Sequence, residues 1–169
     1  MKRSANRLLL VLGLLTALLG GLTAGSATAV NASRWAIINY QTGGHLTPYY
    51  YGKNDRDGIH IWTGYKKPTG DGNQWTFRSV NGGTQIRNEK TQKCLRPVRF
   101  GSQTRVEQWE CGSTPEFQWR LTSAGGTYKI TSVSTGNVLT PYSKSAHSVV
   151  LLEEDEGTQK QRWAINALN

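Results

Sequence analysis

Apolar and polar residues alternate along this chain in short runs, as in Thr127-Tyr128-Lys129-Ile130-Thr131 and Gly83-Thr84-Gln85-Ile86-Arg87. A period of two turns one face of a segment toward a core and the other toward water, which predicts β-strands. The runs are bounded by Gly, Asn, Pro and Ser, residues that favour tight turns. Beyond residue 29 no long stretch carries apolar residues at helical spacing, so the expected class is all-β.

The alternating runs recur in one order. Gln74-Trp75-Thr76-Phe77, Gln118-Trp119-Arg120-Leu121 and Arg162-Trp163-Ala164-Ile165 place a tryptophan every 44 residues. Upstream of each lies Leu46-Thr47-Pro48, Leu95-Arg96-Pro97 or Leu139-Thr140-Pro141. Between the two phrases come Ile59-His60-Ile61-Trp62, Val106-Glu107-Gln108-Trp109 and Val149-Val150-Leu151-Leu152. Three phrases in one order, three times over, define a threefold repeat. A unit of about four short strands cannot bury its own apolar face, so three copies must share one core. The expected fold is a β-trefoil over residues 30–169, with repeats at about 34–74, 75–118 and 119–169. Arg34-Trp35-Ala36-Ile37 mirrors residues 162–165, so the first strand is expected to begin the first repeat as Trp75 and Trp119 begin the others. The final strand should then close a barrel beside it.

Residues 1–29 read differently. Lys2, Arg3 and Arg7 precede the apolar stretch Leu8 to Leu19, and small residues close on Ala27-Thr28-Ala29. This is the pattern of a secretory signal peptide cleaved after Ala29. A membrane anchor is the competing reading. Gly13, Gly20, Gly21 and Thr23 interrupt the stretch, however, and it falls short of the roughly 20 apolar residues a span needs. The expected product is secreted, with no stable membrane insertion.

Charge and cysteine content narrow the classes further. The formal charge of +9 falls to +6 once the three leader cations are removed. Arg87, Lys90, Lys93, Arg96, Arg99 and Arg105 crowd the second repeat, whereas Glu153, Glu154, Asp155 and Glu156 crowd the third. Such asymmetry can steer a charged glycan, an acidic cell-wall polymer or a partner protein, but for the acidic run a solvated surface is the favoured reading. No nucleic-acid partner is expected of a secreted chain. Cys94 and Cys111 are the only cysteines, and an oxidising compartment predicts one disulfide between them. Two thiols and three dispersed histidines, His45, His60 and His147, make neither a metal site nor a redox pair, so no cofactor is expected.

The Leu-x-Pro, Val-x-x-Trp and Gln-x-Trp segments, with cysteines beside the first two as in Cys94-Leu95 and Glu110-Cys111, resemble the repeat of the ricin B-type β-trefoil lectins. The resemblance covers nearly the whole chain after residue 29 and implies a glycan-binding module. In that family an Asp after the Leu of the first phrase accepts sugar hydroxyls, an aromatic residue ends the middle phrase, and an amide stands two residues before the closing Trp. The matching positions here are Thr47, Arg96 and Thr140 for the acceptor, Trp62, Trp109 and Leu152 for the platform, and Asn73, Phe117 and Gln161 for the amide. None of the first three is a carboxylate, which predicts little or no binding of free galactose. Only the first repeat keeps both an aromatic platform and an amide. The candidate ligand-binding residues are therefore Thr47, Tyr49, His60, Trp62 and Asn73, with Tyr50 and Tyr51 nearby. Thr47 and Thr140 have a plainer reading as turn stabilisers before a proline. Tyr49-Tyr50-Tyr51 and Gly52 to Gly58 form a long loop whose aromatic load suits recognition.

No catalytic set is present in the sequence, so an enzyme is not expected: there is no Gly-x-Ser-x-Gly phrase and no paired metal-binding histidines. Three functions compete. A secreted carbohydrate-binding module leads. A cell-binding or adaptor subunit partnered with a secreted enzyme or toxin is second, because degenerate ricin-like trefoils occur in such assemblies. A proteinase inhibitor built on another trefoil family is third.

Overall fold

A computed structural model describes residues 34–64 and 71–168. The signal-peptide expectation for residues 1–29 and the Tyr51 side chain lie outside the described residues. Twelve strands occur among those described: β1 (Arg34–Asn39), β2 (His45–Pro48), β3 (Ile59–Trp62), β4 (Gln74–Val80), β5 (Gly83–Asn88), β6 (Cys94–Phe100), β7 (Gln103–Trp109), β8 (Trp119–Ala124), β9 (Thr127–Ser132), β10 (Val138–Pro141), β11 (Val150–Glu153) and β12 (Trp163–Leu168).

Six strands close on themselves in the order β1, β4, β5, β8, β9, β12, every neighbouring pair antiparallel. As the sequence predicts, β12 lies beside β1, from Arg34 opposite Leu168 to Asn39 opposite Trp163. Closure satisfies both edges of each barrel strand. The other six form three hairpins, β2–β3, β6–β7 and β10–β11. These meet one another at Gly58 with Glu107, Leu151 with Arg105 and His60 with Val149. A six-stranded barrel capped by a triangle of hairpins is the β-trefoil.

The threefold character is set by equivalent contacts. Trp75, Trp119 and Trp163 are wholly buried, and their indole N–H groups donate to the carbonyls of Leu46, Leu95 and Leu139 at 3.0, 3.2 and 2.9 Å. One recurring phrase is thus hydrogen-bonded to another. A buried indole needs such a partner, and burying each ring contributes roughly 5 kcal/mol before opposing terms. Ile37, Ile86 and Ile130 form a further equivalent set in the same core.

Equivalent contacts group the strands as β1–β4, β5–β8 and β9–β12. Asn39, Asn88 and Ser132 end matching strands β1, β5 and β9, and each backbone N–H there bonds five residues ahead. Each closing tryptophan therefore ends a repeat rather than beginning one, one strand later than the sequence phrases suggest.

Candidate functional site

The hairpin register decides which side chains share the outer face of each lobe. In β2–β3, Leu46 opposes Ile61 and both are fully buried, so the alternate pairs His45–Trp62 and Thr47–His60 face outward. In β6–β7 the matching outer pairs are Cys94–Trp109 and Arg96–Glu107. In β10–β11 they are Val138–Glu153 and Thr140–Leu151. The residue equivalent to Trp62 is therefore Glu153, not Leu152. Leu152 opposes Leu139 inside the core and is 5% exposed. The sequence phrase slipped by one because four consecutive apolar residues, Val149 to Leu152, hide the alternation.

Two of the three lobes fill their own site. In the second, the Arg96 guanidinium lies 4.9 Å from the Trp109 ring centre and 5.6 Å from that of Phe117, and Arg56 reaches the same indole at 5.6 Å. Both cations pack against this indole through cation–π contacts. The Trp109 N–H is also spent, on a Glu107 carboxylate oxygen at 3.1 Å. In the third lobe, buried Gln161 donates to the carbonyl of Glu154 at 2.6 Å and accepts from the Glu156 N–H at 2.8 Å. Its neighbour Glu153 is paired with Lys160 at 3.0 Å.

The first lobe is different. Asn73 ends a 3₁₀ turn just before β4 and is 1% exposed, yet among the described residues neither its amide nitrogen nor its oxygen has a hydrogen-bond partner. Thr47, 2% exposed, donates to the Gly72 carbonyl at 3.2 Å. Its hydroxyl thus fastens the turn that carries Asn73. Trp62 and His60 are half-buried along β3, and Tyr49 follows β2 with its N–H bonded to Gly58.

The structure also gathers groups that the chain disperses. His147, from the loop between β10 and β11, places its ring 3.9 Å from that of Trp62, edge to face, and its carbonyl 2.7 Å from Nδ1 of His60. Tyr49 lies 4.5 Å from the His60 ring and 4.3 Å from that of Tyr50, which lies 6.3 Å from His147. His45 opposes Trp62 across the hairpin, so all three histidines of the chain are brought to the first-lobe hairpin. Burial lowers the pKa of both His45 and His60, so both favour the neutral form. His147 lies far from Trp62 in sequence, and only the docking of its loop on β3, through the His147 N–H to the Ile61 carbonyl, brings it there.

The tyrosine-rich loop is only partly free. Tyr49 and Tyr50 are 42% and 70% exposed. The following Gly52–Gly58 segment instead lies across β7. Gln108 Nε2 donates to the carbonyls of Gly52 and Asn54, and its main chain bonds Arg56 and Asp57. Lys93 reaches Asp55 at 2.7 Å, so part of the basic excess is consumed within the fold. Part of the acidic run is likewise paired: Asp155 contacts Lys129 and Arg162. Cys94 and Cys111 form a disulfide that ties the start of β6 to the residues just after β7. Among the described residues no acidic, histidine or cysteine cluster could hold a metal ion, and no helix is long and apolar enough to cross a membrane.

Known proteins share this architecture. The sequence model of the ricin-type beta-trefoil lectin domain-like family matches residues 71–152. A designed threefold-symmetric protein, ThreeFoil, superposes with a TM-score of 0.74 at 20% identity, over 80% of this chain and 99% of that one. An exo-beta-1,3-galactanase from Clostridium thermocellum superposes at 0.75 and 21% identity, over 82% of this chain and 31% of that one, so the present chain spans under a third of it. The Macrolepiota procera ricin B-like lectin, solved in complex with lactose, gives 0.66 and 17% over 80% and 95% of the two chains. No curated protein matches the sequence. The chain is thus a β-trefoil. Its resemblance to the ricin B-type lectins, carried by the repeat phrases, holds in the matched segment and in the fold.

Proposed function

We propose that the protein is a secreted, non-catalytic glycan-binding module with a single open site, in the first lobe. The observation that carries this reading is Asn73, a buried amide with both polar ends unsatisfied, where the equivalent Phe117 is apolar and the equivalent Gln161 is fully bonded. Native proteins rarely leave such a group without a partner, and a ligand hydroxyl pair suits an amide's donor and acceptor together. Trp62 supplies an aromatic ring on the hairpin to which Thr47 ties the Asn73 turn, with His60 and Tyr49 as polar-edged neighbours along that hairpin. The leader-like residues 1–29 and the disulfide support secretion.

Retention of residues 30–169 on a glycan array tests the reading. The wild-type protein is expected to be retained, and Trp62→Ala to lose at least about tenfold in affinity, or roughly 1.4 kcal/mol. Free galactose should bind weakly, since the acceptor carboxylate is absent; a calorimetric Kd tighter than about 1 mM would contradict this. Failure of the wild-type protein to bind any glycan would refute the reading itself.

A further inference from the structure

We infer that the first-lobe site takes an extended oligosaccharide rather than a single sugar, laid along the outer face of β2–β3 from Asn73 and Trp62 toward Tyr49 and Tyr50. The inference rests on the glycan reading above and adds its substrate class. Trp62 and His60 occupy alternate positions of β3, and Tyr49 continues the row, because its N–H pairs with Gly58 one outward step beyond the Thr47–His60 pair. Two such steps carry the row roughly 13 Å along the paired strands, from Trp62 to the level of Tyr49, at about 3.4 Å per residue. A monosaccharide covers only a part of that length.

The flank of the row is built from a second lobe. His147 contacts Trp62 at one end and reaches Tyr50 at 6.3 Å toward the other, while its carbonyl meets Nδ1 of His60. The rings therefore form a continuous band: Trp62, His147, Tyr50, Tyr49, His60. Each has a polar edge or hydroxyl as well as an apolar face, the combination that a pyranose presents in return.

Backbone conformation gives an independent indication. Tyr50 and His147 hold φ of 48° and 63°, in the left-handed region that glycine enters freely and bulky side chains do not. Both are well exposed, so core packing does not explain why a ring stands there instead of glycine. Strained residues of this kind cluster at binding sites.

The test uses residues 30–169 and soluble ladders of one to four sugars in three chemistries: β-1,3-galactose, β-1,4-glucose and β-1,4-N-acetylglucosamine. In at least one ladder, affinity by calorimetry is expected to climb about tenfold or more from one sugar to four. Tyr50→Gly and His147→Gly relieve the left-handed strain and should fold at least as well as wild type. Each is expected to cut the climb to under about threefold. Equal affinity for one sugar and four, abolished by Trp62→Ala, would overturn this inference and leave the glycan reading intact. A climb untouched by either glycine variant would place the added sugars elsewhere and also overturn it. No binding in any ladder would overturn it together with its premise.

Discussion

Asn73 shows how one position can be solved three ways on a repeated backbone. Phe117 replaces the amide by an apolar ring, Gln161 satisfies it with the main chain of residues 154 and 156, and Asn73 leaves it open. An unpartnered buried polar group costs about 1–3 kcal/mol, so the first lobe sacrifices stability that its siblings keep. Stability lost at one buried side chain is a common companion of a binding role. Asn73→Leu, close to isosteric and without polar atoms, is therefore expected to raise the unfolding free energy by about 1–2 kcal/mol in urea titration and to lose glycan retention. A variant that is both less stable and still retained would show that the amide has partners of another kind. Arg96 illustrates the opposite solution. Standing where the family keeps a carboxylate, it folds back over Trp109 and Phe117 and closes the second lobe with the protein's own cation.

At the scale of the element, the hairpins share a register and differ in what their inward positions carry. Ile61, Gln108 and Leu152 are equivalent, opposing Leu46, Leu95 and Leu139. A fully buried glutamine among these apolar residues is tolerated because all its polar capacity is used. Its Nε2 donates to Gly52 and Asn54, its oxygen accepts from Thr91 at 2.8 Å, and the result is a strap that holds the 52–58 loop of the first lobe on the second. Gln108→Leu should pack as Leu152 does yet release that strap. The expected results are a loss of about 2 kcal/mol and tryptic cleavage after Lys53 or Arg56 under conditions where the parent resists. Unchanged resistance would mean the loop is held mainly by Lys93 and Asp55.

The same elements show what the sequence could reveal. Strand class, threefold order, the role of Trp75, Trp119 and Trp163 and the pairing of β1 with β12 are legible because burial imposes one residue type at one spacing. The equivalence of Glu153 with Trp62 is not, since a run of four apolar residues carries no period of two. The gathering of His147 onto Trp62 is also illegible, because loop docking is a long-range event without a local signal. The loop after Tyr50 has a recognition-like composition in sequence, yet from Gly52 onward it serves as a tie between lobes.

Across the whole molecule, the meeting of lobes places titratable groups in one corner and makes stability depend on pH in two separate windows. His45 sits in β2 against Trp62; His60 sits in β3, facing Tyr49, the His147 carbonyl and, from β7, the repelling charge of Arg105. Desolvation is the leading cause that lowers both pKa values below the ordinary 6.5, ahead of any charge. For a base so shifted, the unfolded chain binds protons that the folded one resists, so stability is complete above about pH 6.5 and declines as pH falls below it. A second decline belongs to Asp55, Asp155 and Glu116. Hydrogen bonds to Lys93, Lys129 and Thr114, respectively, are the main causes holding these carboxyls below their usual values, and that stability is lost only below about pH 4. Urea midpoints measured from pH 8 to pH 3 should therefore be flat above about 6.5, fall toward 5, and fall again below about 4. His60→Gln keeps a polar side chain that does not titrate, and should reduce the first decline while leaving the second in place. A midpoint constant from pH 7.5 to 5, or a first decline unaltered in that variant, would show that the buried imidazoles at the lobe junction do not govern acid sensitivity.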